Sequence, residues 1–386
     1  MSGIFGLYIH IPFCKSKCAY CDFYSLCSTA DKAVFLDCLL RELRSEKQYT
    51  GGNQLSTIYF GGGTPSLLTA EDYKLIFDGI SREYDLGHCT EITLEANPDD
   101  LNPDYLKSIS GLPFNRISMG IQSFRDNELR ALGRRHNAAQ AIQAVSHCRE
   151  AGLNNISIDL MFGIPQQNEL SLQYSIEQAL KLDVPHISVY MLSLEPGSRL
   201  YKDWQQGRFD EMPDELAEKS YFLISRCLKQ AGYEHYEISN FARPGFRAIH
   251  NASYWSGQPY LGLGPSAHSF KGSSRRWNPA SLKAYIEGIQ SGNLQREEEK
   301  LDRFIRYNEL ILTRLRTSEG LSTGDLYTVH GKDLYDYCTK QARPLVEAGL
   351  LENSEGQLRL AGSAYFVSDS VIRELFWDGG KADKHK

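Results

Sequence analysis

The absences in this 386-residue chain narrow its class before any motif is considered. No apolar run approaches the roughly 18 to 20 residues that cross a bilayer, so no membrane-spanning helix is expected. The first ten residues, Met1 to His10, lack the basic start and long apolar core of a secretory leader. Positive charge is not in excess: 42 Lys and Arg against 48 Asp and Glu leave a formal net charge of −6. Outside the short lysine-containing tail 381–386, which reads as a frayed terminus, there is no basic block, so nucleic acid is not an expected partner. Internal repeats and low-complexity tracts are absent as well. The cysteines do not make an even set. There are nine, and three crowd into eight residues. In a chain without an export signal this argues for reduced thiols around a metal, not a disulfide framework, and for the cytoplasm as compartment.

What is present has a clear rhythm. Six short, β-branched runs (7–12, 56–60, 91–95, 116–121, 155–161 and 186–192) alternate with amphipathic stretches at 30–49, 69–84, 103–110, 126–132 with 138–151, and 170–182. Strand–helix repeats in this order predict parallel strands with crossover helices. Six is short of the eight of a closed barrel, so the expected fold class is α/β, a partial open (β/α)6 barrel. Polar or glycine-rich residues follow nearly every strand, which gathers the chemistry at the carboxyl ends. Beyond residue 195 the pattern predicts a helix at 214–231, an added strand within 233–241 and a loop-rich stretch at 242–277. Helices at 303–316, 322–329 and 334–347, a hairpin around 353–356 and a last helix at 362–376 form a small winged-helix-like α+β module. The expected units are 1–242, a connecting region 243–300, and 301–380.

Cys14-Lys15-Ser16-Lys17-Cys18-Ala19-Tyr20-Cys21 puts three thiols on a short loop directly after the first strand. Three cysteines on a four-iron cubane leave one iron without a protein ligand. The amino and carboxylate groups of S-adenosylmethionine can chelate that iron, and an electron passed to the sulfonium can release a 5′-deoxyadenosyl radical. Lys15 and Lys17 would favour the thiolates. A zinc knuckle completed by His10 or Cys27 is the competing reading, but structural zinc takes its ligands in pairs of closer, regular spacing. The remaining cysteines, Cys27, Cys38, Cys89, Cys148, Cys227 and Cys338, read mostly as core residues.

The spacing, with an aromatic residue just before the third cysteine, resembles the radical-SAM superfamily. The lead-in Tyr8-Ile9-His10-Ile11-Pro12-Phe13-Cys14 resembles the branch that includes oxygen-independent coproporphyrinogen III oxidase, and the likeness extends from Leu7 into the C-terminal module. Gly61-Gly62-Gly63-Thr64-Pro65, after the second strand, offers backbone groups that a ligand can approach closely. The resemblance implies that Tyr8, Tyr20, Gly62, Gly63, Thr64, Glu95, Gln122, Arg134 and Asp159 bind one or two S-adenosylmethionine molecules, with Cys14, Cys18 and Cys21 on the 4Fe–4S cluster.

Two departures bear on activity. The oxidase has a further cysteine two residues after the triplet, where this chain has Phe23, and only seven residues precede Tyr8. His250-Asn251-Ala252-Ser253-Tyr254-Trp255, together with Cys21-Asp22-Phe23, is similar to the heme-chaperone members of the same family. That resemblance implies heme as a ligand, with His250 as axial donor from a loop and Tyr254 and Trp255 against the macrocycle. His10 and His268 are rival donors. It further implies heme-accepting client proteins, respiratory enzymes at the membrane among them, and a homodimer. The alternative is radical-mediated oxidative decarboxylation of coproporphyrinogen III. Either role leaves the C-terminal module to cover the open barrel or contact a partner.

Overall fold

The computed structural model describes residues 3–49 and 51–379; the tail 381–386 lies outside them. Six parallel strands form the centre: β1 (Ile4–Ile11), β2 (Gln54–Gly62), β3 (Glu91–Ala96), β4 (Arg116–Gln122), β5 (Ile156–Phe162) and β6 (His186–Met191). They lie in sequence order. Most of their residues are buried on both faces, as the strands of a parallel sheet covered by helices should be. The crossovers carry α1 (Lys32–Ser45), α2 (Ala70–Glu83), α3 (Pro103–Ile109), α4 (Asp126–Ala131), α5 (Ala138–Glu150) and α6 (Glu169–Leu182). Reciprocal capping boxes start three of these helices: Thr69 with Asp72, Asn137 with Gln140, and Asn168 with Ser171. Between β2 and α2, the Phe60 ring meets Tyr73, Phe77 and Phe114 at centroid distances of 5.3, 5.4 and 5.4 Å. Burying each such ring contributes about 1.5–3 kcal/mol. The α/β barrel expected from the sequence is the observed fold.

Both edges of the sheet differ from expectation. After α7 (Arg199–Gln205) and α8 (Asp214–Gln230), the single strand expected within 233–241 is a hairpin, β7 (Glu234–Glu237) and β8 (Asn240–Ala242), whose β8 pairs antiparallel with β6. The stretch expected to be a loop-rich connection holds α9 (Ile249–Ser256), β9 (Tyr260–Leu263), β10 (His268–Phe270) and β11 (Ser274–Trp277). Next come α10 (Leu282–Gln290) and β12 (Glu297–Lys300). Strand β9 runs parallel to β1, and the sheet reaches twelve strands in the order β12-β11-β10-β9-β1-β2-β3-β4-β5-β6-β8-β7. Strands of segment 243–300 therefore continue the barrel sheet. Strands of three or four residues are too short to show a period of two; the open edge of β1 is what makes them strands. Glu42 of α1, 1% exposed, fastens this extension. It accepts hydrogen bonds from Gly264 N (2.8 Å), Tyr285 Oη (2.7 Å) and Asn278 Nδ2 (2.7 Å), and pairs with Arg296 at 3.1 Å.

The C-terminal module has a core of its own around Tyr307, Ile311, Leu315 and Leu334. Its elements are α11 (Arg303–Leu315), β13 (Leu321–Ser322), α12 (Thr323–His330), α13 (Lys332–Glu347), β14 (Leu351–Ser354), β15 (Gln357–Leu360) and α14 (Ser368–Arg373). The three strands pair in the order β13-β15-β14, a winged-helix-like α+β arrangement. The last helix is shorter than the expected 362–376. Tyr365 packs edge-on against His235 (4.8 Å) and Phe366 against Tyr221 (5.9 Å), drawing the chain onto the barrel before helix resumes. The module docks on the β7–β8 hairpin through Ser318 N to Tyr236 O (3.0 Å) and Ile238 N to Arg316 O (3.1 Å). Among the described residues no helix is long and apolar enough to cross a membrane.

Candidate functional site: the cysteine cleft and the cavity beneath it

The cysteine loop leaves β1 and is closed on itself by Leu26 N to Pro12 O (2.7 Å) and Cys14 N to Leu26 O (2.9 Å). Its middle is held from outside by Ala19 N to Leu132 O (2.9 Å) and Leu200 N to Ala19 O (2.8 Å). The glycine segment after β2 packs directly beneath. Gly62 has φ +105°, and a Cβ there would lie 2.6 Å from the His10 ring. A Cβ on Gly63 would lie 2.6 Å from Phe13 O and 3.1 Å from Cys14 Sγ, so a side chain at either position would push the loop away.

The amides that the sequence offered to a ligand are already engaged. Gly62 N donates to Glu95 Oε2 (3.3 Å), Gly63 N to Ile11 O (2.8 Å) and Thr64 N to Phe13 O (2.7 Å). Thr64 Oγ1 in turn donates to Cys14 Sγ at 3.4 Å. This segment therefore positions the loop, and its amides are not free for a carboxylate.

Cys14, Cys18 and Cys21 open onto a cleft of about 430 Å³ at the carboxyl ends of the strands. Tyr20, Gly62, Gly63, Thr64, Glu95, Gln122, Arg134 and Asp159 line the same cleft. Burial and the neighbouring Cys18 and Cys14 raise the Cys21 thiol to about 11, with Lys17 opposing. A bound cation is what would deprotonate it at neutral pH. Lys15 does not take part as expected, since its ammonium pairs with buried Asp100. Cys27 is exposed, unlike the core position expected of it. Among the described residues no three His, Cys, Asp or Glu side chains converge as ligands of a single ion do. A cubane asks for something else, one thiolate at each of three separate irons, and three cysteines around an open cleft suit that.

Strain and unpaired polar atoms collect in this cleft. A bulge interrupts the β4–β5 register between Gly120 and Gln122. Gln122 follows at φ +73°, and its buried Oε1 has no partner. Arg134 reaches Cys18 Sγ (3.2 Å), Asn97 Oδ1 (2.5 Å) and Gly120 O (2.5 Å), while its Nε is buried and unpartnered. Glu95 accepts from Tyr59 Oη at 2.6 Å. Burial lifts Glu95 to about 7, Asp159 adding to the rise, and burial lifts Asp159 to about 6. Two acids held toward protonation by burial, beside an unpaired acceptor and an unpaired donor, suit a ligand that carries both an ammonium and a carboxylate. Asn97, which bridges Arg134 and Thr64, and Tyr190 and Met191 at the end of β6 also belong to the site. Their signal in the sequence was only their place at or just past the end of a strand.

Tyr8 and His250 are not in the cleft. They line a second cavity of about 240 Å³ beneath it, with Tyr59, Tyr254, Arg116 and Ser188. His250 is on helix α9, not in a loop, and is 0% exposed. Its Nδ1 meets Thr57 Oγ1 at 2.7 Å and its Nε2 meets Tyr254 Oη at 2.8 Å. The ring stacks on Tyr59 at 5.0 Å. Glu91 caps the helix by accepting from Ile249 N (2.8 Å) and His250 N (2.9 Å). Burial, with Arg116 nearby, depresses the imidazole to about 3. The cavity is smaller than the roughly 300–1,000 Å³ that holds a drug-sized ligand, so no macrocycle lies flat within it. Of the rivals, His10 is also occupied, by Tyr8 Oη (3.1 Å) and Tyr24 O (2.9 Å). His268 is exposed and stacks on Trp277 at 5.4 Å.

Residues 8–179 match the radical SAM superfamily model and residues 301–367 the HemN C-terminal domain. A relative named heme chaperone HemW in Bacillus subtilis (strain 168) is 35% identical over 95% of this chain and 97% of its own. The chain belongs to the HemW family of radical SAM proteins. A Haemophilus influenzae protein of that name is 36% identical over 82% of this chain and 83% of its own. A bovine relative, radical S-adenosyl methionine domain-containing protein 1, mitochondrial, is 31% identical over 96% and 87%. The solved structure of coproporphyrinogen III oxidase (HemN) from Escherichia coli superposes with a TM-score of 0.83 over 97% of this chain and 90% of that one. At 22% identity, that likeness shows the shared fold. Membership of the superfamily implies a 4Fe–4S cluster and S-adenosylmethionine.

Proposed function

We propose that this chain binds heme and passes it to client proteins, with a 4Fe–4S cluster and S-adenosylmethionine as resident cofactors. The observation that carries the reading is the 35% identity to a protein named as a heme chaperone, over nearly the whole of both chains. Phe23, 64% exposed where the oxidases of the resembling branch have a cysteine, supports it against porphyrinogen decarboxylation. Cys14, Cys18 and Cys21 would hold three irons of the cluster. When bound, the cluster supplies an electron at its open corner. Glu95 and Asp159 would face the ammonium and sulfonium of S-adenosylmethionine, Arg134 and Gln122 its polar groups, and Tyr20 would close the cleft beside the cysteines. The compartment we infer is the cytoplasm, where nine unpaired thiols stay reduced. The clients we infer are heme proteins, respiratory enzymes at the membrane among them, and the working form a homodimer.

Axial ligation by His250 requires α9 to lift away from Thr57, whereas among the described residues His268 has no side-chain hydrogen bond to break, its ring lying stacked on Trp277. The test is an anaerobic hemin titration of cluster-reconstituted protein, followed by absorbance, with His250→Ala and His268→Ala alongside wild type. Stoichiometric binding with a Soret band that one variant loses or shifts supports the chaperone and assigns the ligand. No specific binding by wild type overturns the reading. Carbon dioxide released from coproporphyrinogen, with 5′-deoxyadenosine formed from S-adenosylmethionine, would then establish the oxidase.

A further inference from the structure

Arg116, the first residue of β4, is 1% exposed and is among the largest fully buried side chains of the protein. Its Nε and Nη1 have no hydrogen-bond partner, and among the described residues it forms no ion pair. A guanidinium cannot shed its proton to relieve this, and a buried charge without a partner is strongly disfavoured. The acids nearest it, Glu95 and Asp159, feel its charge across the cavity, but neither closes an ion pair with it. His250 and His186 are themselves held neutral, burial first and Arg116 second. Glu95 is tied to Tyr59 and to Gly62 N. The guanidinium lines the 240 Å³ cavity, which shares Phe23, Glu95, Ser118, Asp159 and Tyr190 with the cysteine cleft, so the two spaces adjoin.

We propose that the inner cavity is a carboxylate pocket in which Arg116 receives one propionate arm of the heme, the macrocycle remaining outside. The inference rests on the heme reading above. The cavity is too small for a whole cofactor but has room for a two-carbon arm and its carboxylate. The planar fork of the guanidinium matches a carboxylate with two parallel hydrogen bonds. The hydroxyls of Ser118, Ser188 and Tyr190 line the same walls. Glu95 and Asp159 oppose a further anion when ionised, so the pocket fills best when they hold protons or face a cationic ligand in the cleft. The other source of a carboxylate is S-adenosylmethionine itself.

The experiment compares hemin with hemin dimethyl ester, whose propionates are blocked, on the cluster-reconstituted full chain under anaerobic conditions. Wild type, Arg116→Met and Arg116→Lys are titrated with both, and with S-adenosylmethionine. Wild type is expected to prefer hemin by about ten- to hundredfold, as a charged hydrogen-bonded pair gives. Arg116→Met should bind both forms with the affinity of the ester, and Arg116→Lys should recover part of the difference. Equal binding of both forms by wild type overturns the pocket while leaving the heme reading intact, and this arm needs no variant to fold. A variant Arg116→Met that keeps the preference also overturns it. If that variant instead loses S-adenosylmethionine with the hemin preference unchanged, the carboxylate is that of S-adenosylmethionine and the propionate assignment fails. If hemin does not bind at all, the heme reading falls and the pocket with it.

Discussion

At the carboxyl ends of the barrel strands, Gln122 sits at φ +73° with an unpartnered Oε1, and Glu95 and Asp159 are pushed toward protonation by burial. At the amino ends, Glu91 accepts two backbone amides, and His250 is bonded at both ring nitrogens. Tyr236 Oη also bonds His186 Nε2 at 2.8 Å. The mouth combines unpaired groups with strained backbone and acids held near protonation; at the floor Glu91 and the histidines are paired. Unsatisfied groups and strained backbone persist in a fold only where something else compensates them, so the mouth reads as a ligand site and the floor as a support. Ser56 Oγ, Thr93 Oγ1 and Asn155 Oδ1 are also unpartnered toward the floor, but Arg116 brings a charge, which is why it carries the inference about the inner cavity. The comparison also tempers the histidine motif: in this conformation His250 is a tie between α9 and β2.

The largest expected effect is at the mouth. Cys14→Ala, Cys18→Ala or Cys21→Ala should each abolish the four-iron cluster, read as iron content and absorbance after anaerobic reconstitution. Cys27→Ala should change neither. A cluster that survives loss of any one of the three would end the assignment.

Next comes the floor. His250→Ala removes bonds to Thr57 and Tyr254 and leaves a void beside Tyr59, so urea unfolding should show a loss of about 2–4 kcal/mol. An unchanged midpoint would break the contrast between the two ends.

Glu95→Gln should behave in the opposite way. The wild-type acid, raised from 4.5 to about 7, keeps its proton when folded and loses it when unfolded. Its contribution is therefore present at low pH and lost as pH rises from 4.5 toward 7. Removing the acid should raise stability at pH 8 by about 1–3 kcal/mol, while weakening S-adenosylmethionine about ten- to hundredfold by calorimetry.

The floor titrates with the other sign. His250 is lowered to about 3 from 6.5 in the unfolded chain, and away from the floor His136, beside Arg134, is lowered to about 3 and His235, stacked on Phe241, to about 4. Folding is unaffected by them above pH 6.5 and weakens as pH falls toward those values, by up to about 1.4 kcal/mol per pH unit for each. Chemical unfolding from pH 7 to 4.5 should show the slope, reduced by one proton in a folded His250→Phe variant. The smallest effect is at Phe23: with the side chain mostly in solvent, Phe23→Ala should leave stability within about 0.5 kcal/mol of wild type in the same unfolding assay.

Much of this was legible in the residues. Long periodic segments such as 170–182 and the six β-branched runs marked the barrel, because period and length survive without tertiary context. The cleft was legible through the cysteine spacing and the polar residues that follow each strand. What was not legible depended on neighbours far away in the chain. Strand β9 needs the edge of β1, the break before α14 needs Tyr365 against His235, and the burial of His250 needs Thr57 and Glu91.

By itself the sequence determined that the three thiols stand together, since three cysteines within eight residues are close in any fold. It also determined the α/β class, since local periodicity is a property of the chain. The tertiary structure decided which polar groups are left without partners, because hydrogen bonds between residues 193 positions apart, such as Thr57 and His250, exist only once the barrel has closed. That is why Tyr8 and His250 belong to a cavity beneath the cleft, and why Arg116, unremarked in the sequence, became the residue with an unmet charge.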